Sequence, residues 1–338
     1  MPTLLRYAAL SCLLLASSVL ADTVEMKNGD RISGTIVLLD GGRLLIKTPY
    51  AGTLSLDVKQ IVTLDSEREF TVKFEPSNEK RLVRLQPGQP GAVQLAQPGA
   101  RTQAVAIQDI YQLTPQQQQK LVSDLLWSGS LHLAADYKRK ESDSDKYDLS
   151  LASQLRHGRW RHGFDARYEH ETKDDNKKTD RFNGGYGLDY FLTQRWFWKG
   201  KGKYTHDRLE DVRQQVTLGS GPGFQFWDNT LGALSASTLL THNRYSFAND
   251  EREHFNSLTT NWDYRRYFLA KTLELYYQGE VGLPFTPVID YMLDSEVGIR
   301  YKINSWASFS VRTEWEKIKS RQGDLNDRRY LLGVGVSW

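Results

Sequence analysis

The sequence lacks cysteine almost entirely: Cys12 is the single one among 338 residues. One thiol cannot build a disulfide framework or a CxxC metal site. An excess of one charge is also lacking, since 44 basic against 41 acidic residues give +3, which argues against nucleic acid bound through counterion release. After residue 21 no stretch approaches the roughly 20 consecutive apolar residues of a membrane helix. These absences leave a soluble β-rich protein or a transmembrane β-barrel, whose alternating strands keep mean hydropathy low.

The N-terminus carries the features of an export signal. Arg6 precedes an apolar run over 8–15, and Val19 and Ala21 place small or apolar side chains before Asp22. This pattern predicts a secretory signal peptide over residues 1–21. Its removal leaves no cysteine, which suits the cell envelope of a Gram-negative bacterium.

Residues 22–113 contain short strand-forming runs separated by Gly, Pro and Asn. Asn28-Gly29 and Gly41-Gly42 are tight-turn signals between such runs. Part of the pattern recurs at a constant offset of 49 residues, which predicts either two small half-barrels or one fused β-domain. The matching positions are Leu56, Val58, Ile61 and Leu64 with Val105, Ile107, Ile110 and Leu113. We interpret the region as a periplasmic β-module.

A short segment joins this module to the rest of the chain. Thr114-Pro115 has the form of a helix N-cap followed by proline, and residues 116–126 have a helical composition. The sequence therefore predicts a helical linker over residues 114–126.

From Trp127 to Trp338 the side chains alternate with the period of a β-strand. Near the end of the chain Val334 and Val336 share one face, while Arg312 and Glu314 oppose the apolar face of the preceding segment. Five short turns and six longer polar loops predict an antiparallel barrel of about twelve strands over 127–338. An even strand count returns both ends to the same side, which predicts a periplasmic N-terminal module.

In a transmembrane barrel the apolar face meets lipid and the charged face lines the lumen. The lumen-lining charges predicted on this basis are Arg161, Asp165, Arg167, Lys199, Lys201, Lys203, Glu274, Asp294, Glu296, Arg300, Arg312 and Glu314. The aromatic girdle predicted at the membrane interface consists of Trp127, Trp160, Trp196, Trp198, Trp306 and Trp338. A soluble sandwich or lipocalin-like barrel, with its apolar face inward, is the alternative that alternation alone leaves open.

Two segments resemble a known family. The run from Asn28 to Ile36, the run from Thr48 to Leu54 and the strand over 61–64 resemble the periplasmic head of some members of the domain-of-unknown-function 481 (DUF481) family. This family comprises the YdiY-type salt-induced outer-membrane proteins. Residues 127–338 are similar to its barrel in length, in the Gly-Ser-Gly-Pro-Gly stretch at 219–223 and in the terminal aromatic residue. The resemblance implies a barrel in the outer membrane and no established activity.

Enzyme chemistry finds little support in the residues. His170, His206 and His254 fall beside predicted outer loops, where one of them could meet Ser246, but no GxSxG element surrounds these serines. Paired carboxylates such as Glu314 and Glu316 fit a lumen salt-bridge network better than acid–base catalysis. We therefore expect no enzyme activity, no catalytic residue, no metal site and no cofactor, and keep an outer-membrane lipid-modifying enzyme as the least favoured alternative.

The function expected from these features is a narrow passive channel for small solutes or ions. The alternative is a non-conducting envelope scaffold whose periplasmic head docks on a partner. The expected partners are outer-membrane lipid and lipopolysaccharide, the barrel-assembly machinery through the C-terminal strand, and either peptidoglycan or a periplasmic protein.

Overall fold

The computed structural model describes residues 21–74, 80–97, 99, 101–116, 122–139, 143–173, 176–209, 212–320 and 325–338. The predicted signal peptide lies outside these residues except for Ala21. None of the described residues forms a helix with the length and apolarity needed to cross a bilayer. The chain divides into two compact units after Gln116.

The N-terminal unit, called the head below, is a nine-stranded antiparallel sheet. Its strands are β1 (Asp22–Met26), β2 (Arg31–Asp40), β3 (Arg43–Thr48), β4 (Gly52–Asp57), β5 (Ile61–Phe74), β6 (Lys80–Pro87), β7 (Ala92–Ala96), β8 (Gln103–Ala106) and β9 (Ile110–Pro115). Two 3-10 turns, Val58–Gln60 and Ile107–Asp109, precede β5 and β9. The sheet closes around an apolar core that includes Val24, Ile36, Leu44, Leu64, Phe70, Val72, Leu85 and Leu113.

The head is a duplicated unit in which the two copies share β5. In the first copy the 3-10 turn begins with Val58, whose N–H donates to the carbonyl of Gly42 at 3.0 Å; in the second, Ile107 donates to Gly91 at 3.0 Å. Gly42 and Gly91 both have positive φ, 74° and 85°, which a side chain would disfavour.

The strand pairing repeats as well. β1 pairs with the first half of β5, and the second half of β5 pairs with β9. Each ladder contains a bulge at its end, at Met26 opposite Ile61 and at Phe74 opposite Ile110. Of the two alternatives the sequence left open, the fused β-domain is therefore the one observed.

The predicted helical linker is wrong wherever the structure describes it. Thr114 and Pro115 end β9, where they pair with Thr71 and Phe70. Val122 already begins the first strand of the barrel, and residues 117–121 lie outside the described residues. Local capping chemistry is a weak preference that strand pairing overrides when a neighbouring strand offers hydrogen-bond partners.

The C-terminal unit is a closed antiparallel barrel of twelve strands, which confirms the predicted fold class. The strands are β10 (Val122–Arg139), β11 (Asp143–Gly158), β12 (Trp160–Lys173), β13 (Asn176–Phe191), β14 (Trp196–Asp207), β15 (Val212–Asn229), β16 (Gly232–Phe247), β17 (Arg252–Phe268), β18 (Leu273–Pro284), β19 (Ile289–Lys302), β20 (Ala307–Ser320) and β21 (Leu325–Ser337). The barrel closes where Trp338 and Gly129 exchange two backbone hydrogen bonds, at 3.1 and 3.2 Å.

The predicted contrast between short turns and long loops is wrong. At the end of the barrel opposite Trp338, the distal end, strands are separated by only two to four residues. The polar residues assigned to loops instead continue the ladders, as where Lys146 pairs with Glu171 and joins it in a 3.4 Å ion pair. Strand pairing uses backbone groups and needs no apolar side chains. The polar composition therefore predicted loops at residues where the strands in fact continue. The end that contains Trp338 is called the terminal end.

The apolar face of the barrel points outward. Val334 and Val311 are 57% and 46% exposed, whereas Arg312 is 7% exposed and faces the interior. An apolar exterior around a charged interior is the arrangement of a membrane-spanning barrel. The soluble alternative, which required these valines to lie inside, is wrong.

Candidate functional site: the lumen of the barrel

The strand registers carry all twelve predicted lumen charges onto the inner face. Arg161, Asp165 and Arg167 alternate along β12 and pair directly with Asp189, Gly185 and Asn183 of β13. Because side chains repeat with period 2, the ladders carry this face around the barrel, and their bulges lie near the strand ends. Ionised groups therefore line much of the lumen.

Arg167 is the centre of the largest ion-pair network. Its guanidinium contacts Asp148 at 2.5 Å, Glu169 at 2.9 Å and Glu314 at 2.7 Å. Arg312 pairs with the same Asp148 and lies 3.2 Å from Glu314. We call these five residues the Arg167 cluster. It joins β11 and β12 to β20 through the interior, without following the sheet.

Two more ion pairs extend this network across the lumen. Arg329 of β21 pairs with Glu169 of β12. Arg181 of β13 lies 3.3 Å from Glu316 of β20. Both pairs connect strands that are not neighbours in the sheet, so their side chains cross the interior.

A second network also connects strands that are not neighbours in the sheet. Lys201 of β14 pairs with Glu280 of β18 and donates to Asn261 of β17 at 2.9 Å. Lys203 contacts Glu280 and Asp294, each at 3.3 Å. We call these five residues the Lys201 cluster. Its side chains narrow the lumen between β14 and β18.

Toward the terminal end, an arginine lies between two phenylalanine rings. The Arg161 guanidinium lies 5.0 Å from the centre of the Phe191 ring and 5.1 Å from that of Phe197. It also pairs with Asp189 at 2.7 Å and donates to Gln225 at 2.9 Å. Cation–π contacts of this kind are stronger when the cation is shielded from water, and both rings are buried here.

The other predicted charges outside the clusters, except Asp165, have partners on adjacent strands. Lys199 contacts Asp189 at 2.8 Å, and Arg300 contacts Glu274 at 2.8 Å. The hydroxyl of Tyr276 donates to Glu296 at 2.8 Å.

Asp165 differs from the other carboxylates. It is an exposed residue on the inner face of β12, and no ion pair or hydrogen bond joins its side chain to another described residue. Its cross-strand neighbour Ala152 is exposed too, although it also points inward. A methyl group added at Gly163 would meet nothing within 4 Å. Ala152, Gly163 and Asp165 therefore border open space inside the barrel, which we call the Asp165 gap.

The six tryptophans of the predicted girdle are all exposed and lie toward the terminal end. Trp127 and Trp338 pack edge to face, with ring centres 5.7 Å apart. Trp160 packs on Tyr190 at 4.6 Å, and Trp196 on Phe224 at 5.0 Å. The Trp198 indole donates to Ser220 at 2.8 Å, and Trp306 lies in the turn before β20. Amphipathic aromatic rings favour the boundary between hydrocarbon and water.

The candidate catalytic residues do not assemble. Ser246 pairs with Arg252 in the ladder, while His254 pairs with Arg244 and stacks on His242 at 5.9 Å. His170 interacts with Thr172 at 3.2 Å, and His206 stacks on Tyr204 at 6.5 Å. Among the described residues, no group of three or more His, Cys, Asp or Glu side chains could hold a metal ion.

Several lumen residues were absent from the predicted set. Phe197 shares the phase of Lys199 and Lys201. Counting back two residues from Lys199 would therefore have placed the Phe197 ring inside the barrel. Asp148 could have been placed by counting back from the turn at Gly158. The pairing across the lumen, such as Arg181 with Glu316, leaves no signal in sequence spacing, because it depends on how the barrel closes.

The family model described as a protein of unknown function, DUF481, matches residues 131–338. The chain belongs to the DUF481 family. The match spans the barrel from β10 to Trp338 and confirms the resemblance seen in the sequence. No curated protein is significantly similar to this DUF481 chain.

Solved porin structures are similar to the DUF481 barrel. The NanC porin is 7% identical with a TM-score of 0.40, and the match covers 62% of this chain and 99% of that one. The KdgM porin in complex with disordered oligogalacturonate is 13% identical with a TM-score of 0.35, covering 62% and 99%. The anion-selective porin from Comamonas acidovorans is 9% identical with a TM-score of 0.27, covering 63% and 98%.

Proposed function

We propose that this DUF481 protein is an outer-membrane channel of low conductance, through which small ions or solutes pass passively along a charged lumen. The observation that carries the proposal is the Asp165 gap. Asp165 and Ala152 point into the barrel and are nevertheless exposed, so water reaches the interior away from the strand ends. The Asp165 carboxylate lies in the field of Lys201 and Lys203 but bonds directly to no described residue, so hydration helps to keep it charged.

The Arg167 and Lys201 clusters limit the width of such a channel. Their ion pairs span between walls, and Arg167 and Arg312 are 21% and 7% exposed at the side chain. Cations and carboxylates alternate across the lumen, so neither sign of ion is strongly favoured. A channel built in this way passes small hydrated species past fixed charges of both signs.

We further propose that the head lies in the periplasm. The chain enters the barrel at Val122 and leaves it at Trp338, and both lie at the terminal end. The exposed tryptophans lie toward the same end. In outer-membrane barrels both chain ends lie on the periplasmic side.

A non-conducting scaffold is the second candidate, and the cross-lumen ion pairs favour it. If these pairs stay closed, the barrel is only an anchor, and the head would provide the function by docking on peptidoglycan or a periplasmic protein. Neither candidate requires enzyme chemistry.

Planar bilayer recording on the purified full-length protein distinguishes the two candidates. The channel proposal expects discrete conductance steps from protein that shows the heat-modifiable gel mobility of a folded barrel. Folded protein that gives no steps over a wide range of voltages would leave the scaffold as the better account. Fractionation of cells that express the protein tests residence in the outer membrane separately.

A further inference from the structure

The outer wall of the hairpin formed by β16 and β17 carries a row of basic side chains at the distal end. Leu240 and Leu258 face each other across the two strands and are 60% and 40% exposed on the lipid side. Residues at even numbers on both strands share this outward phase. Above the leucines the successive outward pairs are His242 with Asn256, Arg244 with His254, and Ser246 with Arg252.

The order of these pairs follows the change from hydrocarbon to headgroup. Each step of two residues advances roughly 7 Å along a strand, so the Arg244 pair stands roughly 13 Å beyond the leucines. Apolar side chains therefore give way to imidazoles and then to guanidinium groups within the depth of one leaflet. Arg244, Arg252, His242 and His254 are all exposed.

Arg244 and Arg252 are not neutralised within the part of the chain that the structure describes, where neither forms an ion pair or a ring contact. Other outward cations at this end are held differently. Arg208 pairs with Asp180 at 3.5 Å, Lys317 lies 5.7 Å from the Tyr291 ring, and Arg328 lies 5.6 Å from the Trp315 ring. Two exposed guanidinium groups are thus directed outward with no ion-pair partner among the described residues.

The side of this surface is open. β18 ends at Pro284, opposite Ser257, so residues 252–256 of β17 have no ladder partner in β18. The Phe285 backbone N–H donates to the Asn256 carbonyl at 2.7 Å, just after the end of β18. The Phe285 side chain is 64% exposed. A ligand that lies along the hairpin can therefore approach Arg252 and His254 both from the lipid side and along the free strand edge.

We propose that Arg244, Arg252, His242 and His254, called the Arg244 patch, bind the phosphate of a phosphorylated lipid headgroup in the distal leaflet. Guanidinium groups match phosphate oxygens in geometry and charge. The exposed His254 ring lies beside them, as does the His242 ring, whose Nδ1 is engaged with the Asn256 side-chain oxygen at 2.9 Å. The acyl chains of the same lipid lie along Leu240 and Leu258, so one molecule satisfies both the apolar and the charged part of the surface. The assignment to the outer leaflet, whose main lipid is a phosphorylated glycolipid, rests on the orientation under the proposed function.

Binding of diphosphoryl lipid A to the full-length protein in detergent micelles, measured by native mass spectrometry, tests this proposal. R244Q/R252Q removes both guanidinium charges from the patch. R159Q/R195Q removes the same charge from two exposed arginines in the turns of the terminal end and serves as the matched control. Heat-modifiable gel mobility checks that each variant contains a closed barrel.

We expect lipid A affinity to fall at least about tenfold in R244Q/R252Q and to stay within about twofold of wild type in R159Q/R195Q. Dephosphorylated lipid A should bind the wild type as weakly as diphosphoryl lipid A binds R244Q/R252Q. Equal binding by R244Q/R252Q and the wild type would overturn the proposal, as would an equal loss in both variants. Displacement of lipid A by millimolar inorganic phosphate would also overturn it, since free phosphate would then be the ligand. A protein that binds lipid A through the patch but gives no bilayer conductance would refute the channel and leave this site standing.

Discussion

Arg167 of β12 and Glu314 of β20 form a 2.7 Å ion pair, although three strands, β11, β10 and β21, separate them in the sheet. The two side chains meet through the lumen. This ion pair links the barrel wall across the lumen, in addition to the backbone ladders. It lies on the path that a solute would take through the proposed channel.

Arg167→Met should destabilise the barrel strongly. The side chain is 21% exposed, and its removal leaves the carboxylates of Asp148, Glu169 and Glu314 close together with less positive charge between them. Breaking a buried ion pair by deleting one partner costs about 3–5 kcal/mol. Reversible urea unfolding in detergent measures this loss. Arg195→Met, an exposed arginine in a turn, should change the unfolding free energy little, and R167M/E314Q should recover part of the loss.

Removing the Lys201–Glu280 ion pair should widen the proposed channel. K201S/E280S removes both side chains that meet across the lumen, leaves the net charge unchanged and introduces serine, which is common on this inner face. We expect larger single-channel conductance steps in planar bilayers. D263S/R265S is the matched control, because Asp263 and Arg265 form a 3.8 Å pair along one strand that does not cross the lumen. Equal steps in the wild type and K201S/E280S would show that the bridge does not limit the current.

Neutralising Asp165 should shift ion preference toward anions. Its carboxylate is exposed in the lumen and forms no ion pair with another described residue, so in the proposed channel its field would act on a permeating ion. Reversal potentials in a salt gradient measure the shift for Asp165→Asn. Glu169→Gln is the comparison, because Glu169 is already neutralised by Arg167 and Arg329. A larger shift from Glu169→Gln than from Asp165→Asn would argue against current through the Asp165 gap.

A charge should be tolerated inside the barrel and not outside it. Leu240→Lys places an ammonium group in the lipid, where a lysine at the midplane costs about 2–4 kcal/mol. Ala152→Lys places the same group in the Asp165 gap, beside the Asp165 carboxylate, and should leave stability near that of the wild type. Urea unfolding midpoints compare the two variants. A less stable Ala152→Lys than Leu240→Lys would contradict the orientation of the wall.

Much of the barrel could be predicted because the alternation of apolar and polar side chains within each strand indicates which side chains face outward and which face inward. The alternation of Val311 with Arg312 is local, and a membrane-spanning barrel turns it directly into an outward and an inward face. The partners of Arg167 could not be predicted, because they depend on the closure of the barrel and not on spacing. The error in the linker has a related cause: Thr114 and Pro115 have local helix signals, yet the hydrogen-bond partners that decide their conformation lie some 40 residues earlier, at Thr71 and Phe70.

The two copies within the head have different side chains at one equivalent position, a buried carboxylate in the first copy and a phenylalanine in the second. Asp22 opposite Gly34 in the first copy corresponds to Phe70 opposite Val83 in the second. Asp22 is 2% exposed and accepts hydrogen bonds from the Ile36 backbone and from Ser66, each at 2.5 Å, and from Arg68.

Asp22→Ala leaves the buried Ile36 N–H unsatisfied, at a cost of about 1–3 kcal/mol, with little added for Arg68 because that side chain is 37% exposed. Phe70→Ala should cost more, about 3–5 kcal/mol, because it opens a cavity in the core. Pulse proteolysis of the full-length protein in urea follows the head while the barrel stays resistant. Asp22→Asn, which keeps one oxygen acceptor, should fall between the wild type and Asp22→Ala. If Asp22→Ala proved as stable as the wild type, the buried carboxylate would not hold β1 against β2.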